Sequence, residues 1–317
     1  MDTVTTSTAD PAAGGGNGAP PPALKARAPG LSAEHTVAEA VAAIVSAATR
    51  QIEGNVACAA DGRDPEGVHQ LRVGLRRLRS GLSLFRPHLG DRAAALGDEA
   101  RHALSVLGDA RDLDVFLTET LPRIRKRQPA DEGLARLDAR ARERRETAYD
   151  SVRRMLKGKR FARLLAALRR HAGGTDLVER KPGAALADEA EGLLRKRYRK
   201  LRRKGRGFAR LSPEDRHKVR IALKKLRYAC DYLRGLYPEK RGRAYLRMLS
   251  GLQDRFGSLN DGAVAIALAR DLAGDDAVAQ AGAERVAAWF AQRQAADAPK
   301  LDAAWREFRG TAPFWKG

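Results

Sequence analysis

A stretch of 21 residues that occurs twice constrains the fold of this chain more than any other feature. Its first copy runs from Pro65 to Phe85 and reads PEGVHQLRVGLRRLRSGLSLF. On a helix, which turns about 100° per residue, the stretch separates into two neighbouring stripes. The apolar stripe consists of Leu71, Leu75, Leu78 and Leu82, and the basic stripe of His69, Arg72, Arg76 and Arg79. With Asp64 as N-cap and Pro65 in the first turn, the stretch predicts a helix whose core edge adjoins a basic edge.

The second copy begins 148 residues later, at Pro213, and reads PEDRHKVRIALKKLRYACDYL. Its basic positions His217, Arg220, Lys224, Lys225 and Arg227 match His69, Arg72, Arg76, Arg77 and Arg79. A basic run on a helix is often only a solvated face. The recurrence of a histidine and its cations beside the same apolar stripe instead favours a duplicated binding site.

The overall charge indicates the kind of ligand. The chain has 60 Lys and Arg against 39 Asp and Glu, a net charge of +21. This balance favours a polyanionic partner, which could be a nucleic acid, polyphosphate or an anionic membrane surface. No apolar run reaches the roughly 18 residues that span a bilayer, and the N-terminus lacks the basic segment of a secretory signal. We therefore expect a cytoplasmic protein without a membrane span.

The pattern of the chain predicts an all-α fold, because helical periodicity is frequent and strand-like alternation is rare. Residues 1–30, rich in Ala, Gly and Pro, are expected to form a disordered tail. The helical domain would then cover 31–317, with repeats at 31–175 and 184–317. Two similar helical bundles around a pseudo-twofold axis, with a basic groove between them, are the expected architecture. Cys58 and Cys230 are predicted to be reduced core thiols rather than a disulfide.

Several element boundaries are predicted as well. The first helix is expected over 31–56 with Ser32 as N-cap, and another over 91–107, ending at Gly108. Asp109, Asp112 and Asp114 would then cap the next helix. The second half repeats a Gly and an Asp at this place, Gly257 and Asp261, where a helix expected at 242–256 ends and one expected at 260–272 begins. A metal site is the alternative, although the second copy keeps only one carboxylate.

The two basic motifs, H-x-L-R-V-x-x-R-R-L-R from His69 and H-K-V-R-I-x-L-K-K-L-R from His217, resemble the CHAD family, as do LGxxRDLDV and LNDxxV. CHAD denotes a conserved-histidine α-helical domain, and the resemblance covers about residues 31–310. It implies two four-helix bundles around a basic channel that binds inorganic polyphosphate, with association to polyphosphate granules. The binding residues that it implies are His69, Arg72, Arg76, Arg79, His217, Arg220, Lys224 and Arg227. The candidate set also includes Arg77, Lys225, Arg50, Arg197, Lys200 and Lys204.

Three functions compete for this pattern. Guanidinium and ammonium groups on rigid helices suit a flexible, repetitive phosphate polymer. A nucleic-acid-binding protein should add stacking aromatics, and aromatics are nearly absent among the cations of the basic helices, with Tyr198 and Tyr228 as the exceptions that stand next to them. A phosphoryl-transfer enzyme should carry a P-loop or a metal-binding carboxylate set, and the sequence lacks GxxxxGK[ST]. The E-x-E-x-K motif of the hydrolase domain that many CHAD proteins carry is also missing, with Glu189-Ala-Glu191-Gly-Leu193 as the nearest match.

We therefore expect a non-enzymatic protein that binds inorganic polyphosphate and needs no cofactor or metal. Non-specific binding of nucleic acid by the same basic surface is the alternative. Weak, salt-sensitive attraction of nucleic acid follows from the net charge under either hypothesis.

Overall fold

The fold is all-α, as the sequence predicts. The computed structural model describes residues 19–316, apart from the side chains of residues 258–260. Within this part of the chain, β-pairing is limited to isolated bridges that join Thr36 to Ala185 and Leu89 to Val178. None of the helices described is long and apolar enough to cross a membrane. The helices are α1 (Val37–Glu53), α2 (Val56–Asp61), α3 (Glu66–Phe85), α4 (Asp91–Val115), α5 (Leu121–Arg125), α6 (Glu132–Lys157), α7 (Lys159–His171), α8 (Leu186–Lys204), α9 (Pro213–Leu233), α10 (Glu239–Ala273) and α11 (Ala277–Gly310).

The first helix begins later than the sequence suggests. Helix α1 begins at Val37, and Thr36 with Glu39 forms a capping box in which each side chain binds the other's backbone N–H. The prediction of Ser32 as the N-cap is wrong, because the Ser32 hydroxyl instead contacts His35 Nδ1 at 2.9 Å. Residues 1–18 of the predicted tail lie outside the described residues. Residues 19–30 form no helix or strand, but the Leu24 backbone exchanges two hydrogen bonds of 2.9 Å with the Asn55 side chain.

Both copies of the repeated stretch are helices with the predicted core edge. Asp64 Oδ1 accepts a hydrogen bond from the Glu66 N–H at 2.8 Å at the start of α3. Ser212 Oγ plays the same part at α9, accepting from the Asp215 N–H at 3.2 Å. The apolar stripes are buried, with Leu71, Leu75, Leu78, Leu223 and Leu226 at 0% exposure. The sequence pattern therefore assigned the inner edge of each helix correctly.

The two repeated helices touch each other directly. Helix α3 packs between α1 and α4, α9 packs between α8 and α10, and α3 also contacts α9. Arg77 and Asp231 form an ion pair of 2.8 Å across this contact. Tyr232 Oη donates a hydrogen bond to the Arg77 carbonyl at 2.7 Å. The basic edges of both helices are thereby brought to one region of the molecule.

The helices that follow the repeated stretches are longer than predicted. Helix α4 continues through Gly108 to Val115 and passes into a π-helical turn, Phe116–Thr120. Helix α10 likewise runs without a break through Gly257. A glycine in a helix costs about 1 kcal/mol relative to alanine, and burial of flanking apolar residues outweighs that cost. Around Gly108 these buried residues are Leu107, Ala110 and Leu113.

Because α4 does not stop at Gly108, the prediction that the neighbouring aspartates cap a new helix is wrong. Asp114 is completely buried. Its carboxylate accepts hydrogen bonds from Arg145 Nε and Tyr149 Oη, both at 2.8 Å. Asp114 therefore ties α4 to α6, and the buried charge is compensated by the Arg145 guanidinium.

Cys58 and Cys230 are both buried and free, as predicted. Burial raises the pKa of both thiols. Each therefore stays protonated near neutral pH and acts as a small apolar core residue.

Candidate functional site

Five of the side chains predicted to bind an anion gather where α3 lies beside α9. We call the half-buried set His69, Arg72, Arg76, Arg220 and Lys224 the central cluster. Charge from one helix acts on the other, because Arg76 of α3 contributes to the lowered pKa values of both Arg220 and Lys224. The cluster therefore combines cations from both copies of the repeated stretch.

Several nitrogen atoms in the α3 part of the central cluster are buried without a hydrogen-bond partner. Among residues 19–316 these include His69 Nδ1, Arg72 Nε and Arg76 Nε. Arg72 is oriented by a bond of 2.9 Å from Nη1 to the Leu104 carbonyl, which leaves its Nε to another acceptor. A buried donor without an acceptor costs about 1–3 kcal/mol. An anion that accepts from these groups would remove that cost.

Burial and mutual repulsion make the charged forms of the cluster less favourable. Burial, followed by the charge of Arg76, lowers the pKa of Arg72 to about 10. Burial, followed by the charges of Arg220 and Arg76, lowers the pKa of Lys224 to about 8. Burial and the nearby Arg111 guanidinium lower the pKa of His69, so its ring is neutral in the empty site.

Two carboxylates accompany these cations, one from each half of the chain. Burial raises the pKa of Asp112. The positive charge of Arg72 lowers this pKa, and the negative charge of Asp261 raises it further. Asp261 in turn favours the charged form of Lys224. In the part of the chain that is described, no three His, Cys, Asp or Glu residues are grouped so as to hold a metal ion. The site is therefore a cationic cluster with a minority of acidic neighbours.

His217 has a setting unlike that of His69. It is exposed and borders a cavity of about 540 Å³ that Phe256 and Phe290 also line. Farther along α9, Arg227 Nε donates to Gln253 Oε1 at 2.8 Å, and its guanidinium lies 4.6 Å from the centre of the Tyr228 ring. Arg227 is thus held in place by two neighbours.

A second basic group lies beside the central cluster, between α3, α8 and α9. It comprises Arg79, Arg197, Lys200, Lys204 and Lys225, which we call the lateral cluster. Burial, followed by the charges of Arg197 and Lys200, lowers the pKa of Lys225. Arg197 Nη2 donates to Ser83 Oγ at 3.1 Å. Arg79 and Lys225 also line a cavity of about 580 Å³. The α8 candidates Arg197, Lys200 and Lys204 lie near Lys225 of α9.

Two further candidates, Arg77 and Arg50, also lie outside both clusters. The Arg77 side chain is only 12% exposed and is paired with Asp231, so it stabilises the contact between α3 and α9. Arg50 is exposed on α1 and donates to Ser46 Oγ at 2.9 Å. Within residues 19–316, no hydrogen bond or ion pair joins Arg50 to either cluster.

The sequence analysis missed two arginines of α4 that face the repeated helix. The charge of Arg111 lowers the pKa values of His69 and Arg72, and the charge of Arg101 lowers the pKa of Arg79. Comparison of the repeats could not reveal Arg111, because Asn260 stands at the matching position of the second half. Its place in the LGxxRDLDV segment was the only available signal.

The chain shares its sequence pattern and its fold with known proteins. The CHAD domain family model matches residues 43–270. The crystal structure of the CHAD domain from the plant Ricinus communis superposes with a TM-score of 0.80 at 30% identity, covering 93% of this chain and 98% of that one. PptA from Streptomyces chartreusis shares the fold at 19% identity and a TM-score of 0.64, covering 87% and 98% of the two chains. No curated protein matches. The helical fold and the family match together establish that this chain belongs to the CHAD domain family.

Proposed function

We propose that this protein binds inorganic polyphosphate, without catalysing a reaction, in a basic groove whose walls are α3 and α9. The observation that carries the proposal is the set of buried, unpartnered nitrogen atoms on His69, Arg72 and Arg76 beside the cations of α9. Like charges at short range repel in an empty groove. A bound polyanion would replace this repulsion with attraction and would supply the missing acceptors.

The length of the basic stripes supports a polymer rather than a single phosphate group. From His69 to Arg79 a helix rises about 15 Å, at about 1.5 Å per residue. One pyrophosphate is too short to reach both ends of such a stripe. The lateral cluster extends the cationic surface further, so a phosphate chain could contact α3, α8 and α9 together.

We further propose that the groove lies between two duplicated bundles, formed by repeats 31–175 and 184–317. The packing of α3 against α1 and α4, and of α9 against α8 and α10, is the parallel that supports this arrangement. Association with polyphosphate granules in the cytoplasm is part of the same proposal, since a granule presents many phosphate chains to one basic surface.

Titration with long-chain polyphosphate and with duplex DNA, at equal phosphate concentration, tests the proposed function. We expect polyphosphate to bind more tightly at each salt concentration, with binding that weakens steeply as salt rises. For nucleic acids the log–log slope is about −0.7 to −0.9 per phosphate contact, so a slope shallower than about −3 would contradict an extended contact surface. Equal affinity for both polymers at every salt concentration would favour non-specific nucleic-acid binding instead. Release of inorganic phosphate from the bound polymer would contradict the non-enzymatic part.

A further inference from the structure

Lys224 differs from the other lysines of this chain in its surroundings. It is half-buried in the central cluster, with Arg220 and Arg227 on its own helix, Arg76 of α3 opposite and Asp261 of α10 nearby. Within residues 19–316 its ammonium group takes part in no hydrogen bond or ion pair. It is therefore an amine surrounded by anion-binding groups rather than one held by a carboxylate.

We propose that Lys224 is a site of non-enzymatic acylation by small acyl phosphates. The proposal rests on the same anion-binding character of the central cluster as the proposed function. An acyl phosphate carries both a phosphate group, which the guanidinium groups would hold, and an activated carbonyl, which an amine attacks. Bound at the phosphate end, its carbonyl would lie within reach of the Lys224 amine.

The reaction needs no further reactant. The neutral Lys224 Nζ attacks the carbonyl carbon, and a nitrogen–carbon bond forms while the bond from that carbon to the phosphate oxygen breaks. Phosphate leaves with the electron pair of the broken bond, and the nitrogen releases one proton to water. The product is a neutral amide, so the central cluster loses one positive charge.

The protonation equilibrium of Lys224 supports this chemistry. Its lowered pKa of about 8, against 10.5 for an ordinary lysine, provides a far larger fraction of neutral amine near neutral pH. The gain in that fraction is about two orders of magnitude at about pH 7.5, and a loss of nucleophilicity with falling pKa, as in thiols, offsets part of it. We expect a net rate advantage of about tenfold over an exposed lysine.

Mass spectrometry of the intact chain and of its peptides after exposure to acetyl phosphate tests the proposal. Lys224 should be acetylated about tenfold faster than exposed Lys196 and Lys240, and polyphosphate should protect it. Lys225 lies next in the chain and also has a lowered pKa, but it belongs to the lateral cluster. Acetylation of Lys225 as fast as that of Lys224 would overturn the role of the central cluster. Acetylation of Lys224 at the rate of Lys196 would overturn the proposal.

A neutral acyl donor separates the two parts of the argument. With p-nitrophenyl acetate the preference for Lys224 over Lys196 should fall several-fold, because no phosphate group directs that reagent. An undiminished preference would overturn the role of phosphate binding. Selective acetylation in a protein that fails to bind polyphosphate would refute the proposed function alone, whereas tight polyphosphate binding with unselective acetylation would refute this inference alone.

Discussion

The two copies of the repeated motif share a sequence pattern but have different surroundings. In α3, His69 is half-buried, and its Nδ1 is without a partner among the described residues. In α9, the matching His217 is exposed. Seven residues beyond each histidine, α3 has Arg76 where α9 has Lys224.

This difference shows that matching residues need not have matching roles. A guanidinium keeps its charge under all ordinary conditions, whereas a half-buried ammonium can lose its proton. Helix α3 thus provides permanent charge and unpartnered donors, and α9 provides a charge that depends on pH through Lys224. We expect the two helices to be equivalent in the core and unequal at their basic edges.

The largest expected effect lies in the core, where the copies should behave alike. Leu75 and Leu223 are both fully buried. Truncation of either, Leu75→Ala or Leu223→Ala, should lower the free energy of unfolding by about 2–5 kcal/mol. Urea denaturation measures this loss. A loss below about 1 kcal/mol in only one variant would show that the apolar stripes are not equivalent.

Charge reversal in the central cluster should affect binding rather than folding. Arg76→Glu or Lys224→Glu should weaken polyphosphate binding about a hundredfold, because a repulsive charge replaces a half-buried cation. Helical circular dichroism and cooperative melting should be retained. Lys240→Glu, the same reversal at an exposed position, is the control and should have a small effect. Unfolding of the Arg76→Glu variant would instead place Arg76 in the structural core.

The histidines should reveal the inequality of the two copies. His69→Ala should reduce affinity about tenfold, since a half-buried hydrogen bond to a charged group is lost. His217→Ala should change affinity less than about threefold, because water competes for the hydrogen bonds of an exposed side chain. Calorimetric titration of both variants with the same polyphosphate compares them directly. Equal losses would show that the bound polymer surrounds both histidines alike.

A smaller effect is expected on the pH dependence of stability. The folded pKa of Lys224, about 8, lies below its ordinary value of 10.5. The unfolded chain therefore binds more protons between these values, and the contribution of Lys224 to stability rises with pH in that window. Lys224→Met lacks this contribution, so the wild-type free energy of unfolding should rise relative to that of the variant from about pH 7 to about pH 9.5.

The difference in free energy of unfolding between the wild type and Lys224→Met is the relevant quantity. In both proteins the raised pKa values of buried Cys58 and Cys230 make stability fall as pH rises, which opposes the effect of Lys224. A constant difference across the pH range would show that Lys224 remains an ordinary, hydrated lysine.

Local periodicity was enough to predict the repeated helices and their stripes. Leu75 and Leu223 are buried and Arg76 and Lys224 are half-buried, as their angular positions require. These features depend on residues three or four positions apart, which a helix places on one face. The all-α class follows from the same signal.

Features that depend on distant residues could not be predicted. The ion pair of Arg77 with Asp231 joins residues 154 positions apart. Arg77 stands outside the basic stripe, but no local pattern identifies Asp231 as its partner. The burial of Asp114 depends on Arg145 and Tyr149, which α6 supplies. The continuity of α4 through Gly108 likewise depends on tertiary packing, which overrides the low helix propensity of glycine.

A length series of polyphosphate chains, titrated by calorimetry into two matched variants, tests the central claim that α3 and α9 share one ligand. One variant carries Arg72, Arg76 and Arg79 changed to Gln, and the other carries Arg220, Lys224 and Arg227 changed to Gln. The second set of contacts forms at high effective concentration once a chain spans both helices. We therefore expect affinity to rise with chain length and then level off, and either variant to weaken long chains far more than short ones. A strong loss from one set and none from the other would show that the two halves do not bind the same polymer.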